Sequence, residues 1–141
     1  MELVATGYPE VAFIIPHMGS FSDDWRAQHS LIDYLVRHPN IYTDTSGVRR
    51  FELLEQAVQR AGAHKILFGS DGPWLHPGVE LEKIRVLGLS PADEQLVRGG
   101  NFLRLVSKRR EQPFAPPAAR SDAAPLQAEY RDSWHHHHFE A

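Results

Sequence analysis

The sequence predicts an α/β fold built from repeated strand-plus-helix units, and three observations predict it. Short apolar, β-rich runs recur at Phe13-Ile14-Ile15-Pro16-His17-Met18-Gly19, at Asn40-Ile41-Tyr42-Thr43-Asp44-Thr45-Ser46-Gly47 and at Lys65-Ile66-Leu67-Phe68-Gly69-Ser70-Asp71-Gly72-Pro73. His17, Asp44 and Asp71 follow one another at intervals of 27 residues, close to the pace of about 30 residues per unit in an eight-unit barrel. Each run ends on a polar, chemistry-capable side chain beside a glycine. That places these side chains at the C-terminal ends of parallel strands, where such folds build their sites.

The elements follow in order. Leu3 to Ala5 with Gly7 reads as a last helical turn and its glycine stop. Val11 to Pro16 is the first strand, apolar on both faces as a covered parallel sheet requires, and Pro16 ends it because proline cannot donate to the ladder. Asp23 or Asp24 caps a helix from Trp25 to Arg37, whose buried stripe is Leu31, Ile32 and Leu35. Pro39-Asn40 ends it and the strand Ile41 to Thr45 follows. A helix over Phe51 to Ala61 carries Leu54, Ala57, Val58 and Ala61 on one side and stops at Gly62. Strand Lys65 to Ser70 leads to Asp71, and a helix over Val79 to Leu87 stops at Gly88. Ser90-Pro91-Ala92-Asp93 is a strong helix start, with the cap, an N1 proline and an acid three residues on. That helix ends at Gly99-Gly100, and a last one runs from Phe102 to Arg109.

Composition sets outer bounds. A chain of 141 residues is one domain at most. A formal net charge of −3 gives no reason to expect nucleic acid or an anionic membrane as partner. With no cysteine, any metal must be held by histidine and carboxylate. No apolar stretch reaches membrane-spanning length and no signal peptide is evident, so a cytoplasmic location is expected. Residues 111–141 change character: Pro113, Pro116, Pro117 and Pro125 lie among Ala, Ser, Arg and Asp. This Pro/Ala-rich tail is expected to be disordered beside a folded unit over 1–110, with a short helix near Leu126 to Tyr130. Its run His135-His136-His137-His138 lacks any supporting shell and is read as an adventitious chelator.

Three elements together resemble the amidohydrolase-related family of metal-dependent TIM-barrel hydrolases and decarboxylases. They are the strand ending in His17-Met18-Gly19; the Pro39-to-Gly47 run; and Ile66-Leu67-Phe68-Gly69-Ser70-Asp71-Gly72-Pro73 followed by Gly99-Gly100-Asn101-Phe102-Leu103-Arg104-Leu105. The likeness runs from about Leu3 to Val106. It implies that the three strands are the sixth, seventh and eighth of a (β/α)8 barrel. It also implies that Asp71 is a metal ligand that handles the proton of a metal-bound water, and that His17 polarises substrate or acts as general acid/base. The implied cofactor is a divalent metal, zinc or manganese, present only in a complete barrel. Ser46, Trp74 and His76 are candidate substrate contacts, although a surface-loop role is the plainer reading of His76. Asp44 is expected to be structural, bonded inside the sheet or to the next loop, and His29, His38 and His64 to be solvated.

The sequence departs from that family in lacking the first-strand His-x-His pair and the fifth-strand histidine. One carboxylate cannot hold a catalytic ion that needs about three protein ligands. The chain is therefore expected to be the C-terminal three-eighths of a barrel with an added tail, inactive alone. It would pair with a chain supplying the missing strands, pair with itself, or be unstable as the remnant of a truncated reading frame. Phe13, Ile15, Leu67 and Phe68 would be partly wet, and uncovering ~400 Å² of apolar surface costs about 10 kcal/mol. In a complete site the metal brings a bound water to a pKa of about 7 and polarises a carbonyl. The reaction would be hydrolysis of an amide, lactone or ester, or non-oxidative decarboxylation. The alternative is a non-enzymatic α/β module, for instance one binding nucleotide at Gly69-Ser70-Asp71-Gly72 and Ser46-Gly47.

Overall fold

The computed structural model describes residues 1–20 and 24–111. Asp23 and the tail from 112 onward, with its histidine run, lie outside the described residues. Three parallel strands, β1 (Phe13–Ile15), β2 (Ile41–Asp44) and β3 (Ile66–Leu67), form one sheet in sequence order. Phe13, Ile14 and Ile15 pair with Ile41, Tyr42 and Thr43, while Thr43 and Asp44 pair with Ile66 and Leu67. The helices are α1 (Glu2–Gly7), α2 (Trp25–Arg37), α3 (Phe51–Ala61), α4 (Pro77–Val86), α5 (Pro91–Gln95) and α6 (Asn101–Glu111).

Alternation along the strands gives the sheet two faces. Phe13, Ile15, Ile41, Thr43 and Ile66 share the face toward α2 and α3. There Ile41 and Ile66 join Leu31, Ile32, Leu35, Leu54 and Ala57 in the core. The other face carries Ile14, Tyr42, Asp44 and Leu67. α2 and α3 match their predicted limits because helical periodicity and end signals agree. Asp24 caps α2, its carboxylate accepting from the Arg26 amide at 2.9 Å, and Gly62 follows α3 at φ 89°. Ser90 caps α5 as expected, accepting from the Asp93 amide at 3.1 Å.

The strands are shorter than their apolar runs. The Val11 amide bonds the Tyr8 carbonyl at 3.1 Å instead of joining the sheet, and the Phe68 amide bonds the Val97 carbonyl at 2.8 Å. The expected break at Gly99-Gly100 is present: the π-helical turn Leu96–Gly100 leaves helical geometry at Gly99 (φ 178°, ψ −23°), and α6 begins at Asn101. That turn covers the outer edge of β3. Buried Asn101 completes the cover, its Nδ2 donating to Ala63 O (2.8 Å) and Ile66 O (2.7 Å). Leu67 is accordingly 4% exposed, not wet as expected. Phe13, Ile15 and Phe68 are half-buried. The exposed apolar strand residue is Ile14, 40% exposed on edge strand β1. A second asparagine ties the N-terminal segment down: Asn40 Nδ2 faces the carbonyls of Ala5, Tyr8 and Val11 at 3.0–3.1 Å.

Candidate active site

The three strand ends carry the site. Beyond β1 the chain turns through Pro16–Gly19 with His17 (φ 55°) and Met18 (φ 52°) in the left-handed region. Beyond β3, Asp71 is also left-handed (φ 53°). Such backbone is unfavourable for residues bearing a Cβ, by roughly 1–2 kcal/mol each, so these turns are held by specific contacts.

Asp44 supplies those for His17. Its Oδ1 accepts from the His17 amide (3.0 Å), the Ser46 amide (3.1 Å) and the Ser46 hydroxyl (2.7 Å). The expectation of a structural Asp44 agrees with these bonds. His17 Nδ1 lies 2.9 Å from the Ser46 carbonyl and 3.0 Å from Ser46 Oγ. Gly47, at φ 62°, sits between the two candidate groups: a Cβ there would lie 3.3 Å from both Asp71 Oδ2 and His17 Nδ1. Imidazole and carboxylate are therefore within twice that distance of each other, although they come from opposite edges of the sheet. Gly69 is demanded in the same way, since a Cβ on it would fall 2.9 Å from Ser46 Cβ and 3.1 Å from Asp44 Cγ.

His17, Gly47 and Asp71 open on a cleft of about 790 Å³, whose apolar wall includes Phe51, Trp74 and Leu75. Trp74 is 86% exposed. Ser46 is buried behind His17 and is not among the cleft-lining side chains. His76 caps α4, Nδ1 accepting from the Gly78 amide at 3.1 Å, and does not line the cleft. Sequence reasoning missed the three other charged residues of the cleft, Arg49, Glu80 and Lys83, and the apolar wall residues Phe51 and Leu75. Arg49 is exposed at the rim. Lys83 Nζ reaches Glu80 Oε2 (2.7 Å), Val48 O (2.8 Å) and Thr45 O (3.3 Å). The burial of Glu80 beside a half-buried lysine cannot be read from one helix alone.

At the opposite end of the strands Lys65 is buried against the Tyr42 ring and donates to His38 O (2.6 Å) and Ile41 O (3.1 Å). Burial, then the nearby Arg104, lowers its pKa to about 8. The pKa of His64 is also lowered, by desolvation and then by Lys65 and Arg104.

Among the described residues no three His, Asp or Glu side chains converge as a metal site. Asp71 is a single carboxylate, so these residues do not fit a catalytic divalent ion on their own. The Gly69 amide is taken by Thr45 Oγ1 at 3.2 Å and the Gly72 amide by Ser70 Oγ at 3.3 Å. Among the described residues no helix is long and apolar enough to cross a membrane.

Comparison with known proteins fits this arrangement. The chain is 28% identical over 120 residues to a γ-resorcylate decarboxylase of Polaromonas sp. JS666, covering 73% of this chain and 36% of that protein. It is similar to a crystal structure of a dihydroxybenzoic acid decarboxylase from Polaromonas sp. JS666 with bound manganese and the inhibitor 2-nitroresorcinol. There the TM-score is 0.55 and the identity 25%, over 74% of this chain and 36% of the other. An amidohydrolase from Burkholderia multivorans with bound zinc shares the fold at TM-score 0.61 and 16% identity, over 75% of this chain and 47% of the other. These neighbours are TIM-barrel amidohydrolases, and the chain spans about a third of the length of the curated relative it matches. The amidohydrolase family profile matches residues 1–107, and with more than half its length so covered the chain belongs to the amidohydrolase family.

Proposed function

We propose that this chain carries the Asp71–His17 part of a non-oxidative decarboxylase site for a hydroxylated aromatic acid, hydrolysis being the neighbouring chemistry of the family. One observation carries the reading. A carboxylate from the end of β3 and an imidazole from the end of β1 both come within 3.3 Å of the Cβ position of Gly47, on the wall of one cleft. Decarboxylation of an aryl acid releases CO2 and leaves the electron pair of the broken C–C bond on the ring carbon, which takes up a proton. An imidazole and a carboxylate side by side can deliver that proton and balance the charge, a contribution of roughly 10²–10⁴-fold for general acid–base catalysis. Phe51, Trp74 and Leu75 offer an apolar wall to a flat ring, and Arg49 at the rim offers charge to its carboxylate.

In this proposal β1, β2 and β3 are strands six, seven and eight of the barrel. Asp71 contributes one ligand to a divalent ion, manganese or zinc, whose other ligands come from outside the 141 residues. Further strands pair at β1, where Ile14 is exposed.

The test is a graft. Residues 1–107 replace the matching segment of the Polaromonas decarboxylase, and loss of 2,6-dihydroxybenzoate is followed with manganese present. We expect decarboxylation that falls at least 10²-fold in Asp71→Asn and in His17→Asn. A folded, manganese-loaded graft whose turnover ignored both substitutions would overturn the assignment.

A further inference from the structure

We propose that Ser46 is a positioning residue: it holds His17 as the Nδ1–H tautomer and so makes Nε2 the basic nitrogen of the ring. The Ser46 carbonyl lies 2.9 Å from His17 Nδ1. A carbonyl oxygen only accepts, so the hydrogen of that bond belongs to Nδ1. Ser46 Oγ is 3.0 Å from the same nitrogen and 2.7 Å from Asp44 Oδ1. An ionised carboxylate also only accepts, so the serine hydrogen is directed at Asp44 and the oxygen presents lone pairs to Nδ1. Asp44 Oδ1 cannot swing away easily, because the backbone amides of His17 and Ser46 hold it at 3.0 and 3.1 Å. Both oxygens near Nδ1 therefore demand a donor. The opposite tautomer would set the Nδ1 lone pair against a carbonyl lone pair at 2.9 Å. Ser46 is 4% exposed, so water has little access to relieve that clash.

Free histidine favours the Nε2–H form, so this shell inverts the ordinary preference. In the neutral ring only Nε2 can take up a proton, and Nε2 is where a proton enters and leaves. The inference deepens the acid/base reading of His17, and its catalytic consequence rests on that reading. The tautomer itself does not.

The experiment uses the full chain, labelled with ¹⁵N and observed at about pH 8.5, above the ordinary histidine range. Two-bond ¹H–¹⁵N correlations separate the tautomers, and His17 is identified by the signals lost in His17→Gln. We expect a protonated-type shift at Nδ1 and an unprotonated-type shift at Nε2. Ser46→Ala keeps the carbonyl and removes the hydroxyl, so the Nδ1–H to Nε2–H ratio should fall roughly two- to tenfold, as for loss of one hydrogen bond. A wild-type His17 in the Nε2–H form would overturn the proposal. So would an unchanged ratio in a folded Ser46→Ala protein, and the wild-type spectrum decides the matter even if that variant does not fold. No substrate, metal or turnover enters the measurement. A wrong tautomer leaves the decarboxylase reading standing, and an inert graft leaves the tautomer standing.

Discussion

Replacing Lys83 by methionine tests how the site is held to α4. Lys83 Nζ donates to Val48 O at 2.8 Å and Thr45 O at 3.3 Å, and its charge lies 2.7 Å from Glu80 Oε2. Both carbonyls belong to the loop that contains Ser46 and Gly47. Glu80 is 1% exposed, so Lys83→Met leaves a carboxylate without its counter-charge in the interior. Breaking a buried pair from one side costs about 3–5 kcal/mol, a large share of the 5–15 kcal/mol typical of a domain. With a urea slope of about 2 kcal/mol per M the unfolding midpoint should drop by about 2 M. The double variant Glu80→Met/Lys83→Met removes the orphaned charge as well and should recover much of that loss, giving a coupling energy of roughly 1–3 kcal/mol. Urea unfolding of the two single variants and the double, followed by circular dichroism, completes the cycle. If Lys83→Met shifted stability by less than about 1 kcal/mol, the pair would be behaving as a screened surface bridge, and the buried lock would be refuted.

Other changes have equally definite outcomes. Gly47→Ala forces a Cβ into left-handed backbone and 3.3 Å from both Asp71 Oδ2 and His17 Nδ1; it should cost at least about 1–2 kcal/mol in urea unfolding and lower graft turnover. Asn101→Leu orphans the carbonyls of Ala63 and Ile66, so a loss of about 2–6 kcal/mol is expected at roughly 1–3 kcal/mol per unsatisfied group, read by thermal unfolding. Lys65 binds its proton less tightly folded, at about 8, than at its ordinary 10.5, so the unfolded chain holds more protons across that window. Stability should therefore rise with pH from about 8 to 10.5, and Lys65→Met should remove that rise in denaturant midpoints. His64, also lowered, acts in the same sense at lower pH: its contribution is lost as pH falls through the ordinary histidine value of 6.5, and His64→Gln should flatten that arm.

Much of this was legible in the amino-acid order, for local reasons. α2 and α3 announce themselves through periodicity that agrees with Asp24 at one end and Gly62 at the other. The strand runs located His17 and Asp71 at one rim because a βα repeat returns the chain to the same edge each time. What escaped reading depends on groups distant in sequence. Phe68 looks like strand, yet its amide goes to Val97. Lys83 and Glu80 sit on a helix whose exposed and buried sides are poorly distinguished by sequence, and the Lys83 acceptors lie 35 and 38 residues away. His76 reads more plainly as a surface-loop residue than as a substrate contact, and its ring caps α4 through the Gly78 amide two residues on. Leu67 would be wet on a bare edge strand; the Val97 carbonyl and the Asn101 amide cover that edge.

The backbone at the rim argues separately for a site. Positive φ recurs there at Gly19 and Gly47, where no side chain is present and the conformation comes without penalty. It also recurs at His17 and Asp71, where glycine would relieve the strain but would remove the imidazole and the carboxylate. Met18, left-handed as well, has a fully buried side chain that anchors the turn in the core. His17 is bound through its amide to Asp44, and the Asp71 carbonyl accepts from Trp74 and Leu75 at 3.0 and 3.2 Å. Left-handed backbone at Met18 and at the two residues that bear ionisable groups on one cleft, offset by contacts made for each, is in keeping with the site proposed above.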